Sequence, residues 1–579
     1  MYSSRYREQD RLKAFPDDPK DFNLPVLEEF DFIIVGGGTA GCVVARRLAD
    51  ANFKVLLLEA GGTPPPIQSI PTVSGDFLGE FHQEINYMYR TVPQRKLGFR
   101  SIGTEAGKML GGGSSHNSMI YQRGSPFDYD NWADITGDDS WRYSKLLKYF
   151  KKFENYMGNF SMTNNGQHGY GGPITITSPY LPQREVWLQA GEELSFQILD
   201  SNGPQRIGFS PNENFINFGR RVSTYSAYIK PVEESYRDKL DIRRYSVVSK
   251  ILFEKNVARG VLYHRHGIPK VAMASKEIIL STGPYVTPIL LIKSGIGPKQ
   301  ELEVAKVKPV VILPQVGNNL QDHVFVTVAP FLVTDLSATW SLQKNLSFSE
   351  LDELLYEGTG PTIYTGANGL AYIVSDRAKR RNPNWPDLQV TLLFQTRDDH
   401  ALNCAVTLGL PYSRGTLRFN TSATNMEDNY LPINDPRYFT HPHDLERVLE
   451  GIEFCFKVLE GTQAFKNIGT RFTDEPIKEC KYTVFRSKDY WACYVQYRAT
   501  SLWHTSGACR MGKPNDRVGS VVDSKLRVHG VKKLRIIDVS IMPRITNANI
   551  ATPVIMIAEK IAASLIGEHE YRHSSPSSK

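Results

Sequence analysis

A mixed α/β fold, with a parallel nucleotide-binding sheet and a second region built on an antiparallel sheet, is predicted from three features of the 579-residue sequence. A β-α-β signature begins near residue 31, the same strand-and-apolar-helix idiom returns after residue 534, and the stretch from about 330 to 500 turns aromatic and loop-rich with period-two runs. The chain is long enough for two packed cores and too long for one ordinary domain.

The opening signature is the most specific. Phe32 to Val35 is an apolar strand, Gly36-x-Gly38-x-x-Gly41 follows, an amphipathic helix runs through Leu48, and a second apolar strand, Val55 to Leu58, ends at Glu59. Gly36 permits the tight turn, Gly38 removes the side chain that would keep a pyrophosphate from the helix N-terminus, and Gly41 lets helix and strand pack closely. Glu59, 18 residues after Gly41, is placed to accept hydrogen bonds from an adenosine ribose. The unit is Rossmann-like, and an acid rather than an arginine at the strand tip argues against a 2′-phosphate, leaving FAD or NAD.

The remaining elements follow in chain order. The first 29 residues are polar and proline-bearing, an expected extended arm. Gly107 to Gly124 is glycine- and serine-rich, a composition suited to backbone that approaches a ligand closely, and the aromatic, acidic segment Phe127 to Trp132 follows it. Ile251 to Phe253, Gly260 to Tyr263 and Glu277 to Leu280 read as short strands leading into Ser281-Thr282-Gly283-Pro284. Leu388 to Leu393 alternates as a strand of a cap or substrate sheet. Leu534 to Ser540 reads as a buried strand ending in a polar turn, and Thr552 to Leu565 as an apolar helix with Pro553 in its first turn.

Composition narrows the function. With 41% hydrophobic and 22% charged residues the chain fits a soluble enzyme rather than a disordered one. The net charge of +7, from 68 basic and 61 acidic residues without a long basic run, reads as a solvated surface, so no nucleic-acid partner is expected. No uninterrupted run of 18 apolar residues exists, and the charged start is no signal peptide; the expected compartment is extracellular if a leader has been removed and otherwise cytoplasmic. Six cysteines without C-x-x-C spacing predict neither a disulfide framework nor a zinc site, and no metal site is expected. The glycosylation sequons at Asn159, Asn345 and Asn420 occur at about chance frequency.

Four further blocks carry a family resemblance. They are Gly107-Lys108-Met109-Leu110-Gly111-Gly112; Gly283-Pro284-x-x-Thr287-Pro288-x-x-Leu291-x-x-Ser294-Gly295-Ile296-Gly297; Val316-Gly317-x-Asn319-Leu320-x-Asp322-His323; and His504-x-x-Gly507-x-Cys509-Arg510-Met511-Gly512. With the opening signature, and over about residues 30 to 568, the chain resembles the glucose-methanol-choline (GMC) oxidoreductases, most closely the arthropod glucose dehydrogenase and ecdysone oxidase branch.

The resemblance implies FAD and a division into an arm (1–29), a mainly FAD-binding part (30–330) with substrate-domain insertions around 70–100 and 150–215, a mainly substrate-binding or cap part (331–500), a return to the FAD-binding domain (501–568) and a polar tail (569–579). It implies that Gly36, Gly38 and Gly41, with Thr39 and Ala40, hold the pyrophosphate, that Glu59 and Ala60 meet the ribose and that the Val248 backbone meets the adenine. Leu110, Gly112, His116, Asn117 and Ser118 would line the isoalloxazine. Asp538 would lie near the ribityl-pyrophosphate and Asn549-Ile550 at the pyrimidine edge, while the Gly283 to Gly297 block has a structural role.

His116 departs from the usual family text and matches the Ser-Ser-His-Asn-Ser stretch of choline oxidases, whose histidine is bonded to the flavin 8α-carbon. Two arrangements follow from that match: a covalent link, or an unlinked ring stacked on the dimethylbenzene edge.

The resemblance places the chemistry on His504 and Asn549. A neutral alcohol is a poor hydride donor and an alkoxide a good one, so a base must take the hydroxyl proton as the α-hydrogen leaves, and a neutral imidazole suits that task. Asn549 cannot take a proton, but its amide can hold the oxygen and stabilise developing negative charge. Asn547 competes for this role, and register against Pro553 favours Asn549. His323 is expected to pack against the flavin domain, and His441, His443 and His529 to sit at the surface or in loops; Trp503 either walls the substrate pocket or fills a domain seam.

The expected reaction is oxidation of an alcohol CH–OH group with dioxygen or a quinone-like acceptor, in a monomer or homodimer, the alternative being a hydroxynitrile-lyase-like enzyme with structural FAD. Trp340, Tyr356, Tyr364, Tyr372 and Phe394 point toward a hydrophobic or aromatic alcohol.

Overall fold

The structure, a computed structural model, describes residues 8–11, 27–71, 84–160, 166–204, 207–335, 347–394, 401–422 and 431–574. Trp340, Asn345 and most of the N-terminal arm lie outside these residues. Residues 8–11 form a helical turn, and Asp10 accepts hydrogen bonds from the Tyr245 hydroxyl and the Thr63 amide.

The strand β1 (Glu28–Val35) pairs in parallel with β2 (Val55–Leu58) on one side and with Ile268–Leu280 on the other. Their apolar runs are continuous because both faces are covered: Phe32, Ile33, Ile34 and Val55 to Leu57 are fully buried. The sheet runs Leu240–Arg243, β2, β1, Ile268–Leu280, Val257–Arg265, Ser246–Glu254, the last three joined as an antiparallel meander. Leu534–Ile536 completes it in parallel against Ile278 to Leu280, so the end of the chain returns to the sheet that begins it. Between β1 and β2 runs α1 (Thr39–Asp50), which packs against the long C-terminal helix Ala551–Ser574. That helix buries Met556, Ile557, Ala558 and Leu565 completely, which fixes the turn preceding it.

The second sheet is antiparallel throughout: Gly208–Pro211, Ala367–Ile373, Leu388–Phe394, Ala401–Leu408, Val324–Leu332, Arg471–Phe472, with Thr500–Ser501 also on Val324–Leu332. Helix Pro442–Leu459 covers it with Ile452, Cys455 and Val458 buried. One pairing matters for function. Val324 pairs with Ser501 and Phe325 with Thr500, so the residues just outside this ladder, Asp322-His323 and His504, become neighbours.

The cysteine expectation is overturned. Cys404 on the sheet is bonded to Cys455 on the covering helix, and Cys480 to Cys493; Cys42 and Cys509 are free and buried. The sequence spacing is uninformative here because the partners, 51 and 13 residues apart, meet only after sheet, helix and turns have packed. No group of three or more His, Cys, Asp or Glu residues arranged to hold a metal ion occurs among the described residues. A Cys404→Ala/Cys455→Ala double variant is expected to lose about 2–4 kcal/mol of stability, chiefly through the freed 51-residue loop of the unfolded chain, measured as a lower denaturant midpoint.

A charged cluster is buried around the start of strand Glu154–Met157, which pairs in parallel with Ile174–Thr177. Arg123, 0% exposed, donates through Nε to Glu154 at 3.0 Å and again through Nη2; His168 bridges Glu154 at 3.3 Å and Asp200 at 2.8 Å. Burial pushes the Glu154 carboxyl up to about 7, against the opposing pull of His168.

Candidate active site

Two adjoining cavities share Gly38, Tyr87, Gly107, Gly112, Ser281 and Thr282. The smaller lies over the tips of β1 and β2 and is lined by Gly36, Glu59, Ala60 and Val248 among others. The larger encloses about 1080 Å³ of atom-free space, part of it open to solvent, and is lined by Thr39, Ala40, Asn117, Ser118, Asp538, Asn549, Ile550 and His504. Of the residues expected at the cofactor, three do not line either cavity. Gly41 lies beneath the turn, where a Cβ would stand 1.9 Å from the Gly36 carbonyl oxygen, so its role is helix–strand packing. The fully buried Leu110 packs under Gly37, where a Cβ would meet its side chain at 2.7 Å. His116, 4% exposed, sits behind Gly107.

The cradle fits a dinucleotide. Helix α1 starts at Gly38 with no side-chain cap and no acid in its first turn, leaving its amide N–H groups and positive dipole end available to an anion. A Cβ on Gly38 would meet protein only at 3.7 Å, so the glycine serves the cavity rather than the packing. Glu59 lines the smaller cavity and is held by the amides of Gly37 and Gly61, each at 2.8 Å. Burial raises its carboxyl above the ordinary range, opposed by those two amides. Asp538 has both oxygens occupied, accepting from Thr287 at 2.7 Å, Gly283 at 3.0 Å and Ser540 at 2.8 Å. It thereby ties helix Gly283–Lys293 to the turn after Leu534–Ile536. Asp538 thus shapes the wall, and burial raises its carboxyl.

At the other end of the larger cavity stand His504 and Asn549. His504 Nε2 lies 3.5 Å from Asn549 Nδ2, and the Oδ1 atom of Asn549 is buried with no protein hydrogen-bond partner. Burial, reinforced by the neighbouring His323, holds the His504 ring well below the usual imidazole pKa, so it is neutral at neutral pH. The turn carrying Asn549 is fixed from both flanks. Gln122 Oε1 accepts from the Asn549 amide at 3.0 Å, and Asp128 Oδ2 accepts from the Asn547 amide at 3.0 Å. Asp128 closes the capping box of helix Pro126–Thr136 and also takes the Trp385 indole N–H at 2.8 Å; burial pushes its carboxyl up to about 6. Asn547 turns away from the cavity, its Nδ2 donating to the Pro386 carbonyl at 3.0 Å, in agreement with the register argument that favoured Asn549.

Other residues are placed differently from expectation. His323, 1% exposed, is the direct neighbour of His504, at 2.9 Å between their Nδ1 atoms. Nothing local in the Asp322-His323 text marks this contact, which the Val324–Ser501 register creates. His529 lies in a turn, as one of the expected placements has it, but is buried, 3.0 Å from the Ser520 hydroxyl. Tyr356, Tyr364 and Tyr372 line neither cavity; the aromatic wall is made instead by Tyr87, Tyr89, Tyr285 and the half-exposed Trp503. Trp503 is therefore a pocket residue rather than a seam filler.

Comparison with known proteins accounts for this arrangement. Sequence profiles of GMC oxidoreductases match residues 30–325 and 411–558. Glucose dehydrogenase [FAD, quinone] of Drosophila pseudoobscura pseudoobscura is 33% identical over 560 residues, covering 92% of this chain and 86% of its own. Ecdysone oxidase of Spodoptera littoralis is 33% identical over 588 residues, covering 96% and 94%. Among solved structures, formate oxidase of Aspergillus oryzae RIB40 superposes with a TM-score of 0.82 at 26% identity over 94% of this chain and 99% of its own. The relatives named here are oxidases and dehydrogenases, and none favours the lyase alternative. Among the described residues no helix is long and apolar enough to cross a membrane. With a glycine cradle, an uncapped helix start and a neutral histidine–asparagine pair joined by one continuous hollow, the chain belongs to the GMC family of FAD-dependent oxidoreductases.

Proposed function

We propose that this protein oxidises the CH–OH group of an alcohol at His504 and Asn549, with dioxygen or a quinone-like compound as the final electron acceptor. The observation that carries the reading is the convergence of His504 Nε2 and Asn549 Nδ2, 3.5 Å apart, on the wall of the cavity that continues into the dinucleotide cradle. FAD held there supplies the two-electron acceptor. His504, neutral and partly buried, takes the hydroxyl proton on Nε2, and the Asn549 amide donates to the oxygen as negative charge develops on it. Tyr89, Tyr285 and Trp503 give the cavity an apolar, aromatic wall that supports a hydrophobic or aryl alcohol. The two disulfides support an oxidising compartment outside the cytosol. An anaerobic screen of sugars, choline, aryl alcohols, terpenoid alcohols, sterols and cyanohydrins tests the reading: one or more alcohols should bleach the flavin absorbance, and bleaching by none would reject it.

The reading extends to His116 as the tether of FAD. Burial, reinforced by the Arg221 charge, pushes its pKa down to about 3, and Nε2 is buried with no hydrogen-bond partner, 3.7 Å from Glu105. The ring is thus neutral, and its Nε2 has no protein partner to compete with an attachment. Attachment to the 8α-methyl carbon would release two protons and two electrons, the electrons passing to the same acceptor. Acid precipitation of the holoprotein is expected to leave the yellow chromophore in the pellet; complete release into the supernatant would exclude the bond.

A further inference from the structure

His323 stands directly behind His504, and the chemistry of its two nitrogens decides which nitrogen of His504 is free. Nε2 of His323 lies 3.0 Å from the carbonyl oxygen of Gly409, an atom that only accepts, so this nitrogen carries the proton. Burial pushes the His323 pKa down to about 4, with the carbonyls of Gly409 and Thr546 opposing, so the ring is neutral and has a single N–H. Its Nδ1 is therefore a lone pair. That lone pair faces Nδ1 of His504 at 2.9 Å, and two lone pairs at this distance would repel. Nδ1 of His504 must then hold the His504 proton and donate it, which leaves Nε2 of His504 as the acceptor.

One further contact agrees with this assignment, and a second fixes the backbone that carries the ring. Nε2 of His504 faces Asn549 Nδ2, an N–H donor, at 3.5 Å; an amide turned the other way would oppose a carbonyl oxygen to a lone pair. The backbone amide of His504 is held by Asp322 Oδ1 at 2.9 Å. The other Asp322 oxygen accepts from Tyr438 and Ser501, each at 2.5 Å. Asp322 and His323 are adjacent in sequence and grip one residue twice, by backbone and by ring. Gly409 is placed for this by packing, since a Cβ there would stand 1.6 Å from Asn547 Oδ1.

We propose that His323 is a positioning residue that locks His504 in the Nδ1–H tautomer and so presents the Nε2 lone pair to the alcohol. This rests on the reading of His504 as the base. In the reaction the alcohol O–H bond breaks and its proton moves to Nε2 of His504, while the α-hydrogen leaves with its electron pair to FAD. The Nδ1–H of His504 stays in place throughout, and its hydrogen bond to His323 becomes charge-assisted as the imidazolium forms. The chain ends there, because the Gly409 carbonyl cannot take a proton from His323.

His323→Leu removes the acceptor, whereas His323→Asn can set an amide oxygen near the position of Nδ1. The test combines ¹⁵N–¹H NMR of histidine-labelled holoprotein at neutral pH, with His504 assigned by its loss in His504→Ala, and anaerobic stopped-flow reduction of the flavin. The wild-type His504 should show its proton on Nδ1, and His323→Leu should move it toward Nε2. The limiting reduction rate of His323→Leu should fall by at least about 10-fold with the apparent Kd for alcohol little changed, and His323→Asn should recover most of the loss. A wild-type His504 protonated on Nε2, or a folded His323→Leu with unaltered tautomer and rate, overturns the proposal. A wild-type protein that shows the Nδ1–H tautomer yet is reduced by no alcohol would remove the dehydrogenase reading and leave the positioning role supported.

Discussion

Replacing His504 by alanine is expected to leave FAD bound and to slow its reduction by alcohol about 10²- to 10⁴-fold, the range of a lost general base. Binding survives because the cradle is built elsewhere, by Gly36, Gly38, Glu59 and the uncapped start of α1. Anaerobic stopped-flow measures the effect, and an unimpaired His504→Ala would remove the base from this account. The same geometry sets a pH dependence. The base works only in its neutral form, and burial beside His323 holds the pKa of His504 below the ordinary imidazole value of 6.5. The acid limb of kcat/KM should therefore lie below that value, with a level profile above it; a limb centred above 6.5 would contradict the burial argument.

The second large effect is on stability. Arg123→Ala is expected to cost about 3–5 kcal/mol, because it strands Glu154 among His168, Asp200 and apolar neighbours without its guanidinium partner. The denaturant midpoint measures this. The consequence should reach the active site, since Arg123 directly follows Gln122, whose Oε1 holds the Asn549 amide at 3.0 Å. Reduced flavin loading or a higher KM in Arg123→Ala alongside the lower midpoint is expected; a midpoint within about 0.5 kcal/mol of wild type would show that the buried pair is not the anchor it looks to be.

Much of the site was legible in the sequence because it is encoded locally. The glycine turn, the helix start and the tip of β2 lie within about thirty residues, and steric and hydrogen-bonding rules act over that span. The family resemblance, with the fold, FAD and the oxidoreductase class it implies, is borne out by the profiles and relatives. His116 shows the limit of such reading: the Ser-Ser-His-Asn-Ser text named it, but only the fold shows that its Nε2 is buried without a hydrogen-bond partner, 3.7 Å from the cavity-lining Glu105. Tyr356, Tyr364 and Tyr372 were uninformative because composition does not say which residues the fold brings to the ligand, and none of the three lines either cavity.

By itself the sequence determined a dinucleotide cradle and two differently patterned sheets, which rest on short-range sterics and periodicity, while the oxidoreductase class came with the family resemblance. Tertiary structure alone decided the disulfides across 51 and 13 residues and the contact of His323 with His504 across 181 residues. Contacts of that kind depend on strand register and helix docking, which bring together atoms whose separation along the chain carries no signal of their meeting.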